Sequence, residues 1–357
     1  MRIAPVEAAW RLVAAELPEA PGGPRTAYTA ASLLVGDSDG VRLHRTGGWA
    51  AYWRDATTPL PAQDCVELTD RHRFDLASIT KVVTAVVIHQ LAETDTLALT
   101  DPVVAHLPEF AGPGKDGVRL HHLLSHTSGL PAMIQLWHHD LSDPLAAVAG
   151  AGLAAPVGTH TYSDLGPMLL RWIAERATGT AWAELVRTRI TGPMGMTATG
   201  FGPINPADAV ATEDSTTALR GHPRGMVRGE VHDENAWLLD GVSGHAGLFS
   251  TAADLDRFAR GLVGGQLLSA HSWARLTTDE LGLEANRQRF MGRLANRPGA
   301  RAVGHTGFTG TSMVIDVAAR AWAILLTNRV HPTRDGLSIQ PIRAAVGDAL
   351  ADAIELS

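Results

Sequence analysis

With 357 residues, 45% of them hydrophobic and 19% charged, the chain has an ordinary globular composition and length for about two folding units. That balance excludes long disorder, collagen and coiled-coil architectures, and a net charge of −7 excludes the basic footprint of a nucleic-acid-binding protein. A single cysteine, Cys65, excludes an internal disulfide.

The first predicted element is an amphipathic helix with Val6, Trp10, Val13 and Leu17 on one face. Glu7, Arg11 and Glu16 interrupt the run of roughly 7–15 apolar residues that a secretory signal requires. No stretch reaches the about 18 consecutive apolar residues of a membrane span. Together these features predict a cytoplasmic protein with no membrane partner.

Pro21-Gly22-Gly23-Pro24 marks a turn. Residues 28–35 and 41–53 then read as strands joined by the Gly36-Asp37-Ser38-Asp39-Gly40 turn. Residues 78–93 read as a mostly buried helix carrying Ile79, Val82, Val83, Val86, Val87 and Leu91. From about 95 to 240 the pattern predicts helices broken by Pro and Gly loops, among them residues 146–151 and 164–177. Residues 312–317 and 321–327 read as antiparallel strands, and residues 339–354 as a final helix.

Strands at both ends with helices between them predict an α/β (α+β) fold. An antiparallel sheet is flanked by N- and C-terminal helices and carries an inserted, mainly helical lobe. The expected lobes are 1–75 with 245–357, and 76–244, with the active site in the cleft between them.

Only two of the 30 basic residues are lysines, Lys81 and Lys115. Ser78-Ile79-Thr80-Lys81 places one of them three residues after a serine at a helix start. Residues three apart share a helix face, so the ammonium can reach the hydroxyl. Free N–H groups at a helix N-terminus stabilise developing negative charge, and a serine needs an adjacent group to activate it. Two further elements follow in order. Tyr162-Ser163-Asp164 offers one of only three tyrosines, whose phenol can relay a proton. His305-Thr306-Gly307 opens a strand-like run to Thr311, where small residues would let a substrate backbone approach.

Ser78-x-x-Lys81, Tyr162-Ser163-Asp164 and His305-Thr306-Gly307 resemble the three motifs of serine β-lactamase-like and penicillin-binding-protein-like enzymes. The branch they resemble is that of class C β-lactamases with their esterase and D-aminopeptidase relatives. Leu123–Leu130 and Gly244–Thr251 agree with it. The resemblance implies a β-lactamase/transpeptidase-like fold and no cofactor. Ser78 would be the acylated nucleophile, with Lys81 and Tyr162 sharing the base and relay roles. The backbone N–H groups of Ser78 and Phe308 would form the oxyanion hole, and Asp164, His305, Thr306 and Gly307 would meet the substrate.

Two positions depart from the family pattern. Asp164 stands where asparagine is common; an ionised carboxylate cannot donate a hydrogen bond and favours a charged Lys81. His305 stands where lysine is usual, which removes a fixed cation for substrate carboxylates. The expected function is therefore a hydrolase of a small ester or amide through acyl-Ser78. The alternative is an ATP-independent transacylase that passes the acyl group to an amine or alcohol. A β-lactamase, a D-aminopeptidase and a non-catalytic acyl-binding sensor rank below these. The sixteen histidines lack zinc-site spacing, so no metal is expected. The His232-Asp233-Glu234-Asn235 tetrad reads as a loop tie over the cleft.

Overall fold

The structure, a computed structural model, describes residues 1–219, 221–299 and 301–355. The last two residues of the expected 245–357 segment lie outside it. Helix α1 (Ala4–Ala15) buries Val6, Ala9 and Val13, with Trp10 and Leu17 packed at its margin. The Tyr28 hydroxyl donates to the Val13 carbonyl at 2.7 Å and so satisfies one of the open carbonyls at the helix end. Strands β1 (Ala30–Asp37) and β2 (Gly40–Ala51) form the predicted hairpin. In its turn the Asp37 carboxylate accepts from the N–H groups of Asp39 and Gly40.

Short strands β3 (Val66–Glu67) and β4 (Phe74–Asp75) lead to a 3-10 turn over Ala77–Ile79 and then to α2 (Thr80–Glu93). Helix α3 (Leu165–Thr178) buries Leu165, Met168, Leu169 and Ile173, and ends at Gly179 in the left-handed region. The helical expectation for residues 95–240 fails between residues 200 and 226. That segment holds β5 (Gly200–Phe201) and a hairpin of β6 (Asp214–Leu219) and β7 (His222–Met226). Pro203, Pro206 and Pro223 exclude continuous helix there, and the β-branched run Thr216-Thr217 favours extended backbone.

Helix α4 (Glu234–Leu238), β8 (Leu248–Ser250) and α5 (Ala252–Val263) follow. Next come β9 (Glu284–Ala285), β10 (Ala302–Thr306), β11 (Ser312–Asp316), β12 (Ala321–Thr327) and α6 (Gln340–Glu355). A second expectation is corrected at β10. The strand runs into His305-Thr306 rather than onward to Thr311. Residues 307–310 turn back, Gly310 N–H donating to the Gly307 carbonyl at 3.1 Å, with φ of 120° at Gly310.

The main sheet has the order β3-β2-β1-β12-β11-β10-β9, and its pairings are antiparallel. Its centre joins the two ends of the chain, Ala31 opposite Thr327. Alternate residues feed two cores, as a period of two requires. Leu33, Val35, Ala323 and Leu325 pack with α1 and α6, while Leu34, Trp322, Ile324 and Leu326 join the core of α2, α3 and α5. A smaller sheet, β4-β8-β5, lies beside the start of α2. No helix among the described residues is long and apolar enough to cross a membrane.

Candidate active site

Ser78 sits between β4 and α2, and its neighbour fixes its direction. Ala77 has φ of +46°, a conformation costing a non-glycine residue about 1–2 kcal/mol. The buried Asp75 carboxylate holds that bend by accepting the Ala77 N–H at 2.8 Å and the His232 N–H at 2.6 Å. Burial pushes the Asp75 pKa up, against those hydrogen bonds.

Lys81 lies one turn further on and is buried. Its Nζ donates to Ser78 Oγ at 2.6 Å, meets Asp164 Oδ1 at 2.8 Å and donates to the His245 carbonyl at 3.3 Å. The Tyr162 oxygen is a further hydrogen-bond partner, so these acceptors share the three donors of an ammonium. Burial works to lower the lysine pKa, yet the charge of Asp164 and the phenol of Tyr162 outweigh it and hold the pKa above its ordinary value. Asp164 occupies the N-cap position of α3 but makes no cap hydrogen bond. Its carboxylate serves Lys81 instead.

Tyr162 leaves 37% of its surface exposed, while its hydroxyl end reaches in toward Lys81 and Ser78. The Lys81 ammonium lies 5.0 Å from the phenol ring centre. Burial pushes the phenol pKa up, with the charge of Lys81 opposing. The sequence-predicted Ser78, Lys81, Tyr162 and Asp164 therefore meet in one cluster.

The backbone N–H groups of Ser78 and Phe308 donate to no described group, whereas Ala77 and Gly307 spend theirs on Asp75 and on the Thr311 carbonyl. Gly307 is required at this turn. A Cβ there would lie 2.0 Å from Thr311 Oγ1 and 2.4 Å from the Leu76 carbonyl oxygen. Thr306, Gly307 and the half-exposed Phe308 line a cleft of about 450 Å³ together with Ser78 and Tyr162.

His305 is placed differently. It lines an adjoining cavity of about 350 Å³ with Lys81 and His126, and that cavity shares His160 and Glu284 with the Ser78 cleft. Its Nδ1–H donates to the Thr306 carbonyl at 2.8 Å, and its ring centre is 6.0 Å from that of Tyr162. Burial first, then the charge of Lys81, push its pKa down to about 3. His126 packs its ring 4.6 Å from Tyr162, accepts the Ser163 N–H at 3.1 Å, and is pushed down to about 3 by the same causes. Both imidazoles are neutral at neutral pH.

Sequence reasoning missed two groups. The first is cationic: Arg289, Arg329 and Arg343 line the Ser78 cleft from three separate segments. Arg343, on α6, is 6% exposed and donates to the Gly307 and Thr311 carbonyls at 2.8 Å. Burial, then the charges of Arg329 and Arg289, push its pKa down to about 9. Nε of both Arg329 and Arg343 is buried without a partner.

The second missed group is a chain behind Lys81. Ser243 Oγ contacts His245 Nδ1 at 2.8 Å, and His245 Nε2 donates to Asp233 Oδ1 at 2.9 Å. Burial acts to raise the Asp233 pKa, but His245 wins and holds it below the usual carboxylate range. Donor atoms of Asp164, Asp233 and His245 lie within 4.8 Å of one another. The Lys81 ammonium already supplies a cation to this group, 2.8 Å from Asp164.

The rest of the tetrad is a loop tie. His232 Nε2 donates to Glu213 at 2.7 Å and stacks 5.7 Å from the Phe308 ring. Asn235 clasps the Ile134 carbonyl and the Leu136 N–H.

The Beta-lactamase family model matches residues 15–347. A protein of Escherichia coli strain K12 described as a putative D-alanyl-D-alanine carboxypeptidase is 30% identical, over 85% of this chain and 79% of its own length. The D-amino acid amidase of Ochrobactrum anthropi SV3 superposes with a TM-score of 0.72 at 18% identity, covering 99% of this chain and 98% of that one. EstCE1, described as a hydrolase with promiscuous acyltransferase activity, gives 0.71 at 21%, covering 96% and 97%. At these identities the two structures speak for the fold, an α/β architecture built on an antiparallel sheet. The motif-bearing chain belongs to the β-lactamase family and is a serine hydrolase.

Proposed function

We propose that the protein hydrolyses an amide or ester bearing a carboxylate, through an acyl-Ser78 intermediate. The observation that carries the substrate class is the pair of guanidiniums, Arg329 and Arg343, that line the Ser78 cleft. Neither ion-pairs with a carboxylate among the described residues. A substrate carboxylate would give these guanidiniums an ion-pair partner and charge-assisted hydrogen bonds within the cleft. In this reading the arginines take the part of the fixed cation that His305 removes.

In the proposed reaction, Ser78 Oγ attacks the carbonyl carbon and its proton passes to the Tyr162 oxygen. In the same concerted step Tyr162 passes its own proton to the leaving nitrogen or oxygen, so the phenol stays neutral, and that bond then breaks. The oxyanion rests on the N–H groups of Ser78 and Phe308, each donor of such a hole being worth about 3–4 kcal/mol. Lys81 remains an ammonium and steadies the negative charge growing on Ser78 Oγ. Water then attacks the acyl carbon through the same relay reversed, releasing the acid and restoring Ser78.

The test compares one chromogenic substrate carrying a carboxylate with its carboxamide twin. Arg289→Ala and Arg329→Gln should each lower kcat/KM for the carboxylate by about tenfold, the weight of a hydrogen bond between charged groups. The twin should be turned over as before. An unchanged ratio sinks the substrate assignment.

A second reading is acyl transfer to an amine. The cavity shared across His160 and Glu284 offers room for an acceptor beside the acyl group. Added amines would then yield the acylated amine in preference to the free acid.

A further inference from the structure

We propose that Asp233 and His245 are positioning residues for the reaction, acting through Lys81. The proposal rests on the acyl-Ser78 reading and extends it to residues that touch no substrate.

Of the acceptors around the Lys81 ammonium, the Tyr162 oxygen handles the moving proton and Ser78 Oγ changes bonding during the reaction, because it becomes the ester oxygen of the acyl-enzyme. Asp164 and the His245 carbonyl must then hold the ammonium in place. The turn that presents the carbonyl is tightly built. Gly244 packs so closely that a Cβ would lie 2.0 Å from the Pro167 carbonyl oxygen, and its own carbonyl accepts from Thr84 Oγ1 at 2.6 Å. The His245 ring is stretched between Ser243 and Asp233, and Asp233 in turn caps α4 through the Ala236 N–H at 2.8 Å. Ser243 and His245 are fully enclosed, so Ser243 is no second nucleophile. The chain transmits the position of α4 to the ammonium.

Asp233 also contributes charge. The groups facing Lys81 are Tyr162 and Asp164 from the loop before α3, His126 from its own loop, His305 from β10, and His245 with Asp233 from the far side. The two histidines of the cavity are neutral, so Asp164 and Asp233 are the anions that favour the protonated lysine.

The experiment measures kcat, KM and the pH profile on a neutral chromogenic ester, with fluorophosphonate labelling of Ser78 and thermal unfolding as controls. Asp233→Asn keeps the helix cap and an acceptor for His245 but removes the charge. Its alkaline limb of kcat/KM should move to lower pH by about one unit, the low end for a neighbouring charge. His245→Ala should lower kcat by about tenfold or more, as for loss of a hydrogen bond to a charged group, with KM held. A merely structural role would lower the melting temperature and leave the limb where it was. If Asp233→Asn does not fold, Asp233→Ser keeps the cap and reads the same limb. A limb at its native position in the folded variant overturns the proposal. Absence of Ser78 labelling in the native enzyme would instead strike the acyl-serine reading.

Discussion

Asp164 holds the Lys81 ammonium at 2.8 Å, and the lysine side of this ion pair is closed to solvent. Asp164→Asn would restore the asparagine common in the family and leave the lysine charge buried without its nearest counter-ion. Breaking such a pair costs about 3–5 kcal/mol, which a denaturant titration would read. The sign of the pH effect follows from the raised lysine pKa. The pair stabilises the fold below the lysine's ordinary pKa, and that stability is lost as pH rises through the raised value. In the variant, burial prevails and the lysine titrates at lower pH. Its alkaline loss of activity should shift the same way, and an unshifted profile would mean that Asp164 does not set the charge of Lys81.

Ser78 should be the only nucleophile. A fluorophosphonate should add one label, on the peptide containing Ser78, and Ser78→Ala should abolish labelling and turnover with the fold intact. Ser128, Ser163 and Ser243 are all buried, and a label on any of them would contradict the assignment.

Lys81→Ala and Tyr162→Phe should each slow acylation by at least about 100-fold, the low end for loss of a proton-transfer group. Because the two side chains serve one network, the double variant should be little worse than the poorer single variant. Rapid-quench measurement of acylation decides the point, since effects that multiply would mean separate roles.

Acid should destabilise the protein through histidines that are neutral when folded. Burial pushes His89 down to about 4 and His305 and His331 to about 3. Unfolded histidine titrates near 6.5, so the unfolded chain takes up these protons first. The stability they give is full above about 6.5, and each removes about 1.4 kcal/mol per pH unit as pH falls toward its folded value. Melting curves between neutral pH and pH 4 should show the decline. His89→Gln, which can still donate to the Leu281 carbonyl, should flatten it. For the same reason His305 should give kcat/KM no limb near pH 6.5.

Legibility followed locality. Helix α1, the β1–β2 hairpin, α2, β11, β12 and α6 were readable because each carries its own period of apolar residues or its own turn. The cluster of Ser78, Lys81 and Tyr162 was readable because its members sit in short motifs. The β6–β7 hairpin was not, since Ser215-Thr216-Thr217 and His222-Pro223-Arg224 show no apolar alternation. Arg289, Arg329 and Arg343 converge only in space, and a chain with 28 arginines among its 30 basic residues gives no reason to single out three. Asp233 and His245 stand twelve residues apart, joined by a contact that no periodicity encodes.

The central seam of the sheet sets an order of assembly. Ala31 pairs with Thr327, and Arg343 from α6 braces the carbonyls of Gly307 and Thr311 on either side of the Phe308 turn. During synthesis on the ribosome, the β1–β2 hairpin must therefore wait for β12, far downstream, before its inner edge is covered. Pairings this distant in sequence are slow to close. The Phe308 turn receives its brace later still, once α6 has emerged. The helix that follows Ser78 can form early, but the cleft around Ser78 is braced only after α6 has been translated.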